Sequence, residues 1–182
     1  MPILTGFRAF PGVAHNPTQV LVEHFAAHPQ ALPAGTRLAL LDVDYRTVGP
    51  KLDALLADPP AALVLTGFSA LATAITLEAQ ASGLCAADKP DVGGLVPQLT
   101  DAPPLCTGID LAHLHTLVGR HAPCAISHDA GQYLCNFAYR HALEQVAQRG
   151  LLQQGAELAR LERRLGREHG GQRHAKRLGA LC

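Results

Sequence analysis

Short apolar runs alternate along the chain with stretches whose apolar residues recur at helical spacing. Ile3 to Phe7 reads as a strand, followed by a loop rich in Gly and Pro through Gly12. Asn16-Pro17 supplies an N-cap and a first-turn proline for a helix over Thr18 to His28. Arg37 to Val43 is a second strand and Lys51 to Ala57 a second helix. Ala61 to Thr66 is continuously apolar up to its last residue and stops at Gly67, the pattern of a strand covered on both faces. After the Pro-rich connections of Pro90 to Pro104 come a helix (Ile109 to His121), a strand (Ala122 to Ser127) and a long helix (Gly131 to Arg149). Strands alternating with helices predict an α/β fold, a single domain over 1–182 with a mostly parallel twisted sheet and helices on both faces. From Gly150 onward the pattern changes. No strand is predicted there, and Leu151, Leu158, Leu161 and Leu165 could line one stripe of a basic amphipathic helix that Gly170-Gly171 would end.

At 182 residues the chain is long enough for one buried core. Lys plus Arg and Asp plus Glu stand at 15 each, which gives no general attraction to nucleic acid or an anionic membrane. Seven of the tail's cations (Arg160, Arg163, Arg164, Arg167, Arg173, Lys176, Arg177) could form a basic patch, but no aromatic residue or nucleic-acid motif accompanies them. No apolar run reaches the roughly 20 residues that span a bilayer, and no secretory leader is predicted. The 5 cysteines form no C-x-x-C pair, which argues against a disulfide framework or zinc knuckle and for a reducing, cytoplasmic setting. Among the histidines, His113 and His115 stand two apart and so on different faces of a helix; no metal site and no cofactor is predicted.

Cys135 is the candidate nucleophile. Asp129-Ala130-Gly131 permits a sharp turn between strand and helix, which places Cys135 in the first helical turn. There the helix dipole and unpaired N–H groups favour a thiolate and could hold an oxyanion. On that basis Cys135 should alkylate faster at pH 7 than Cys85, Cys106 or Cys124. The other reading of Cys135, from local pattern, is a small buried hydrophobe.

The surrounding blocks point further. Ser127-His128-Asp129-Ala130-Gly131-Gln132-Tyr133-Leu134-Cys135-Asn136 resembles the nucleophile segment S-x-x-A-G-x-Y-x-C-N of the pyroglutamyl peptidase I family, the pyrrolidone-carboxylate peptidases. Leu4-Thr5-Gly6-Phe7-Arg8-Ala9-Phe10 with Asn16-Pro17-Thr18 resembles that family's opening, and Gly67 through Gly94 keeps its spacing around Ile75-Thr76-Leu77-Glu78 and Pro90-Asp91. The resemblance covers residues 1–149. It implies a phosphorylase/hydrolase-like fold and a cysteine exopeptidase that removes N-terminal pyroglutamate from peptides. It also implies catalytic roles for Cys135 and Glu78 in a Glu–Cys–His triad, lactam-binding roles for Phe7, Phe10, Tyr133 and Leu134, and a homo-oligomer, dimer or tetramer. Read without the resemblance, Phe7 and Phe10 would be ordinary core, and Glu78 a solvated helix residue.

The chain departs from the family in several places. Its histidine strand, G-F-I-H-V-P, has no counterpart in the divergent segment 150–182, where His169 and His174 lie among different neighbours. Phe68 stands where relatives have glutamine, Ala72 and Ala79 at arginine positions, Gly83 at an asparagine and Ala9 at a proline. These departures define the alternative expectation, a catalytically silent relative acting as a binding or structural protein.

Overall fold

The computed structural model describes residues 1–83, 88–97, 102–149 and 180–181. Strand β1 (Pro2–Phe7) is central, with β2 (Arg37–Leu41) on one side and β3 (Ala62–Leu65) on the other, all parallel. Thr5 marks the register, level with Ala39 on one flank and Leu65 on the other. Strand β8 (Ala180–Leu181) extends this sheet beside β3, giving the order β2-β1-β3-β8. Two smaller pairs complete the strands. β4 (Ile75–Glu78) lies parallel to β7 (Cys124–Ser127), and β5 (Gln80–Ala81) antiparallel to β6 (Leu105–Cys106).

Local chemistry sets the helix starts. Asn16 caps α1 (Pro17–Ala27), its side-chain oxygen accepting from Thr18 N at 3.0 Å, with Pro17 where no intrahelical donor is needed. Asp44 caps α2 (Tyr45–Leu56) through Arg46 N at 2.7 Å, so this helix begins well before the predicted Lys51 and carries Pro50 inside it. Pro50 removes one intrahelical hydrogen bond, which made the segment look like a helix starting later. Helix α3 (Leu111–Val118) and helix α4 (Leu134–Gln148) fall within their predicted spans. Helices α2 and α4 pack together, and Val48, Leu52 and Leu56 join Ile3, Leu63, Leu65, Leu134, Ala138 and Tyr139 in one core. Helix α1 packs closely on β1, because a Cβ on Gly6 would stand 2.3 Å from the Thr18 carbonyl oxygen.

Two expectations are corrected. Glu78 is no solvated helix residue: it ends strand β4, pairs with Ser127 and is 7% exposed. The segment after Gly150 does contain a strand, β8, whose two residues are too few to leave a periodic signature. The predicted tail helix, with its leucine stripe and basic residues, lies outside the described residues, as do Cys85, His169 and His174.

Candidate active site

The turn ahead of α4 is built by short polar contacts. Ser127 Oγ accepts from Asp129 N at 3.0 Å, and Asp129 Oδ1 accepts from Gly131 N at 2.9 Å. Gly131 then takes a φ of 77°, a conformation that a side chain disfavours. The reversal delivers Tyr133 as the residue before the helix and Cys135 as its second residue. Tyr133 offers no side-chain cap to α4, and the Cys135 N–H in its first turn acts on the Cys135 sulfur.

Five of the six expected site residues meet at one small cavity, partly open to solvent. Phe7, Phe10, Tyr133, Leu134 and Cys135 line it. Asn16, Val43 and Phe68 also line it, and the sequence reading had assigned them no binding role. The Phe10 and Tyr133 rings lie 6.4 Å apart at 50°, and Tyr45 meets Tyr133 edge-on at 6.1 Å. Tyr133 Oη donates to the Pro90 carbonyl at 3.0 Å. That ties the pocket wall to the Pro90–Leu95 loop, which Val92 N fastens to the Val43 carbonyl at 3.1 Å. Asp91 anchors this loop, accepting from Tyr45 N at 2.9 Å and from Gly93 N and Leu95 N at 2.8 Å each. Burial tends to raise the Asp91 pKa, but these N–H donors, with Arg46 nearby, together lower it. Tyr133 is pushed the other way, by burial first and then by the charges of Asp91 and Cys135, so its hydroxyl stays a donor.

The sulfur sits against the end of β3. A Cβ on Gly67 would lie 2.6 Å from Cys135 Sγ, and only glycine leaves room for that approach. The N–H groups of Phe68 and of Cys135 itself both stabilise the thiolate. Burial outweighs them and, with the charge of Glu78, pushes the thiol up to about 11. The expectation of a thiolate favoured by the helix terminus is therefore corrected, since desolvation exceeds what a helix end supplies.

Glu78 is the sixth expected residue. It lies outside the cavity lining, yet close enough for its charge to act on the Cys135 sulfur. Tyr139 Oη donates to its carbonyl at 2.9 Å, which fixes the backbone, while Oε2 is buried with no hydrogen-bond partner among the described residues. Because its charge helps hold the thiol protonated, Glu78→Gln should speed alkylation of Cys135 by iodoacetamide at pH 8. Burial is the larger cause, so the gain should be below the roughly tenfold of a full pKa unit. Slower alkylation in the variant would overturn this account.

Asn136, the last residue of the cysteine motif, has a structural task. Its Oδ1 accepts from Ser82 N at 2.9 Å and its Nδ2 donates to Ser82 O at 3.1 Å, so one side chain pairs with the backbone as a strand would. Asn136→Ala removes both of these hydrogen bonds to Ser82. A loss of about 2 kcal/mol is expected, lowering the melting midpoint by roughly 4–8 °C in a chain of this size. A thermal melt with an unchanged midpoint would refute this role.

Histidines with identified partners bond elsewhere: His28 to His24 O, His115 to Cys124 O, and His141 to Asp53 at 2.8 Å. Among the described residues no group of three His, Cys, Asp or Glu side chains could hold a metal ion, and no helix is long and apolar enough to cross a membrane.

The protein is of the α/β class, with a cysteine at the start of a helix set in the wall of an apolar cavity. No protein-family model matches the chain. The pyrrolidone-carboxylate peptidase of Deinococcus radiodurans is 32% identical over 160 residues, covering 81% of this chain and 71% of that protein. One from Vibrio vulnificus is 31% identical over 147 residues, covering 75% and 68%. The crystal structure of pyrrolidone carboxyl peptidase from Thermus thermophilus superposes with a TM-score of 0.68 at 30% identity, covering 79% of this chain and 77% of that one. That from Thermococcus litoralis, at 22% identity, shares the fold with a TM-score of 0.73 over 99% of this chain and 74% of its own. The chain belongs to the pyrrolidone-carboxylate peptidase family.

Proposed function

We propose that this chain is a cysteine exopeptidase that removes pyroglutamate from the N-terminus of peptides. The observation that carries the reading is the cavity itself, where Cys135 shares an apolar wall with Phe7, Phe10, Tyr133 and Leu134. A pyroglutamyl group has no charged amine, and a pocket without a facing carboxylate suits its flat lactam ring.

In this proposal Cys135 Sγ attacks the carbonyl carbon of the pyroglutamyl residue. The N–H groups of Phe68 and Cys135, already directed at the sulfur, hold the oxyanion that forms there. The C–N bond breaks, the thiol proton leaves with the departing amine, and a thioester remains. Water then cleaves the thioester, releasing pyroglutamate and returning a proton to sulfur. Glu78, buried with one oxygen unpartnered among the described residues, supplies the negative charge that orients the proton carrier. The family resemblance assigns that carrier to a histidine. The proposal also includes a cytoplasmic homo-oligomer, by resemblance and cysteine usage, and one domain whose segment 150–182 departs from the family pattern.

The test is turnover of a fluorogenic pyroglutamyl amide by the purified chain. Release of the fluorophore that disappears in Cys135→Ala supports the reading. No turnover under any condition in which the chain is folded would sink it.

A further inference from the structure

The cavity has a buried end and an exposed one. Phe7 and Val43 are each 3% exposed and Leu134 is 1% exposed, whereas Phe68 is 42% exposed and stands at the mouth. Phe68 is also the residue whose N–H reaches the Cys135 sulfur, so its side chain begins beside the bond to be broken. When a lactam ring fills the buried end, the residue bearing the departing amine must lie on the outer side, against Phe68. Three residues further along, Leu71 is 92% exposed on the turn closed by Ala72 N to Ser69 O at 3.2 Å. The connection from Gly67 to Ala74 contains no charged residue, so it offers an arriving side chain apolar contact and no ionic partner. Phe68, beside the reacting sulfur, and Leu71, three residues along the same connection, are large apolar side chains left in water, and each gains when a ligand covers it.

We propose that Phe68 and Leu71 form an apolar subsite for the side chain of the residue that follows the pyroglutamyl group. The chain then favours pyroglutamyl peptides whose second residue is large and apolar, such as Phe or Leu, over those with Asp or Glu. The proposal rests on the pyroglutamyl peptidase reading and adds the preference on the leaving side.

The experiment compares kcat/KM for pyroglutamyl-Phe-amide and pyroglutamyl-Glu-amide in the unmodified chain, Phe68→Ser and Leu71→Ser. The expected ratio in the unmodified chain is roughly tenfold or more in favour of Phe, collapsing to about threefold or less in both variants. Circular dichroism checks the fold; Leu71→Ser, at a side chain almost wholly in water, serves if Phe68→Ser fails to fold. Equilibrium dialysis of the same two peptides against Cys135→Ala reads the preference as binding, without relying on turnover. A ratio near one, or a large ratio that both variants retain, overturns the subsite and leaves the peptidase reading standing. If neither peptide is bound or cleaved, the peptidase reading falls and the subsite with it.

Discussion

Cys135→Ala is expected to reduce hydrolysis of a pyroglutamyl amide by a factor on the order of a thousand or more, with the fold unchanged. The substitution removes one atom from the cavity wall and leaves α4, whose start does not depend on the sulfur, as it was. The same sulfur gives an independent reading of its surroundings. With the thiol pushed up to about 11, roughly one molecule in ten thousand carries the thiolate at pH 7. Alkylation of Cys135 by iodoacetamide should therefore rise about tenfold per pH unit from pH 7 toward that value. At neutral pH the exposed Cys106 should be labelled before Cys135. Linkage has a definite sign here: an unfolded cysteine ionises near 9.0, while the folded one holds its proton. Stability is therefore unaffected below about pH 9 and falls between about 9 and 11, where only the unfolded chain has lost the proton. Peptide mapping of labelled samples across this range checks both statements. A labelling rate already level below pH 8 would show a thiolate preformed by the helix end.

What could be read from the sequence was what neighbouring residues decide. Asn16-Pro17 announced the start of α1, and Asp129-Ala130-Gly131 the turn that presents Cys135, because caps and tight turns are made by side chains a few positions away. The aromatic wall was legible only through motif resemblance. Phe7 and Phe10 in isolation look like core, and Phe7 at 3% exposure is buried as a core residue would be. The environment of the sulfur was not legible. It depends on Gly67 at the end of β3 and Glu78 at the end of β4, both more than fifty positions from Cys135 in the chain. The local pattern left two readings, a helix terminus that lowers a thiol pKa and a buried small hydrophobe, and the desolvation of the second raises the pKa more. The setting of Glu78 was not legible locally for the same reason, and only the family resemblance put it beside Cys135. Its burial follows from pairing with Ser127 and from Tyr139, 61 residues away, donating to its carbonyl. Phe68 departs from the family pattern, but its place at the cavity mouth depends on the approach of Cys135, far along the chain, to the Gly67–Phe68 backbone.

Gly67→Ala should lower kcat/KM for a pyroglutamyl amide by on the order of a hundredfold while the chain stays folded. Gly67 does not need glycine for its backbone angles, since it is not among the positive-φ residues, so the cost is steric. The added methyl would stand 2.6 Å from Cys135 Sγ and 3.3 Å from its Cβ, and the first of these is closer than nonbonded atoms tolerate. Neither neighbouring backbone yields easily, because Leu65 and Leu134, each 1% exposed, bind β3 and α4 into the same core. The movement that remains is rotation of the cysteine side chain about its single torsion. That takes the sulfur away from the Phe68 N–H and misplaces it by about an ångström against a bound carbonyl, which accounts for the expected loss. Because the new contact is with the end of a short side chain, the stability change should stay within about 2 kcal/mol. The measurements are kcat/KM beside a denaturant unfolding curve. Near-normal turnover in a folded Gly67→Ala chain would mean that the active sulfur does not rest against β3.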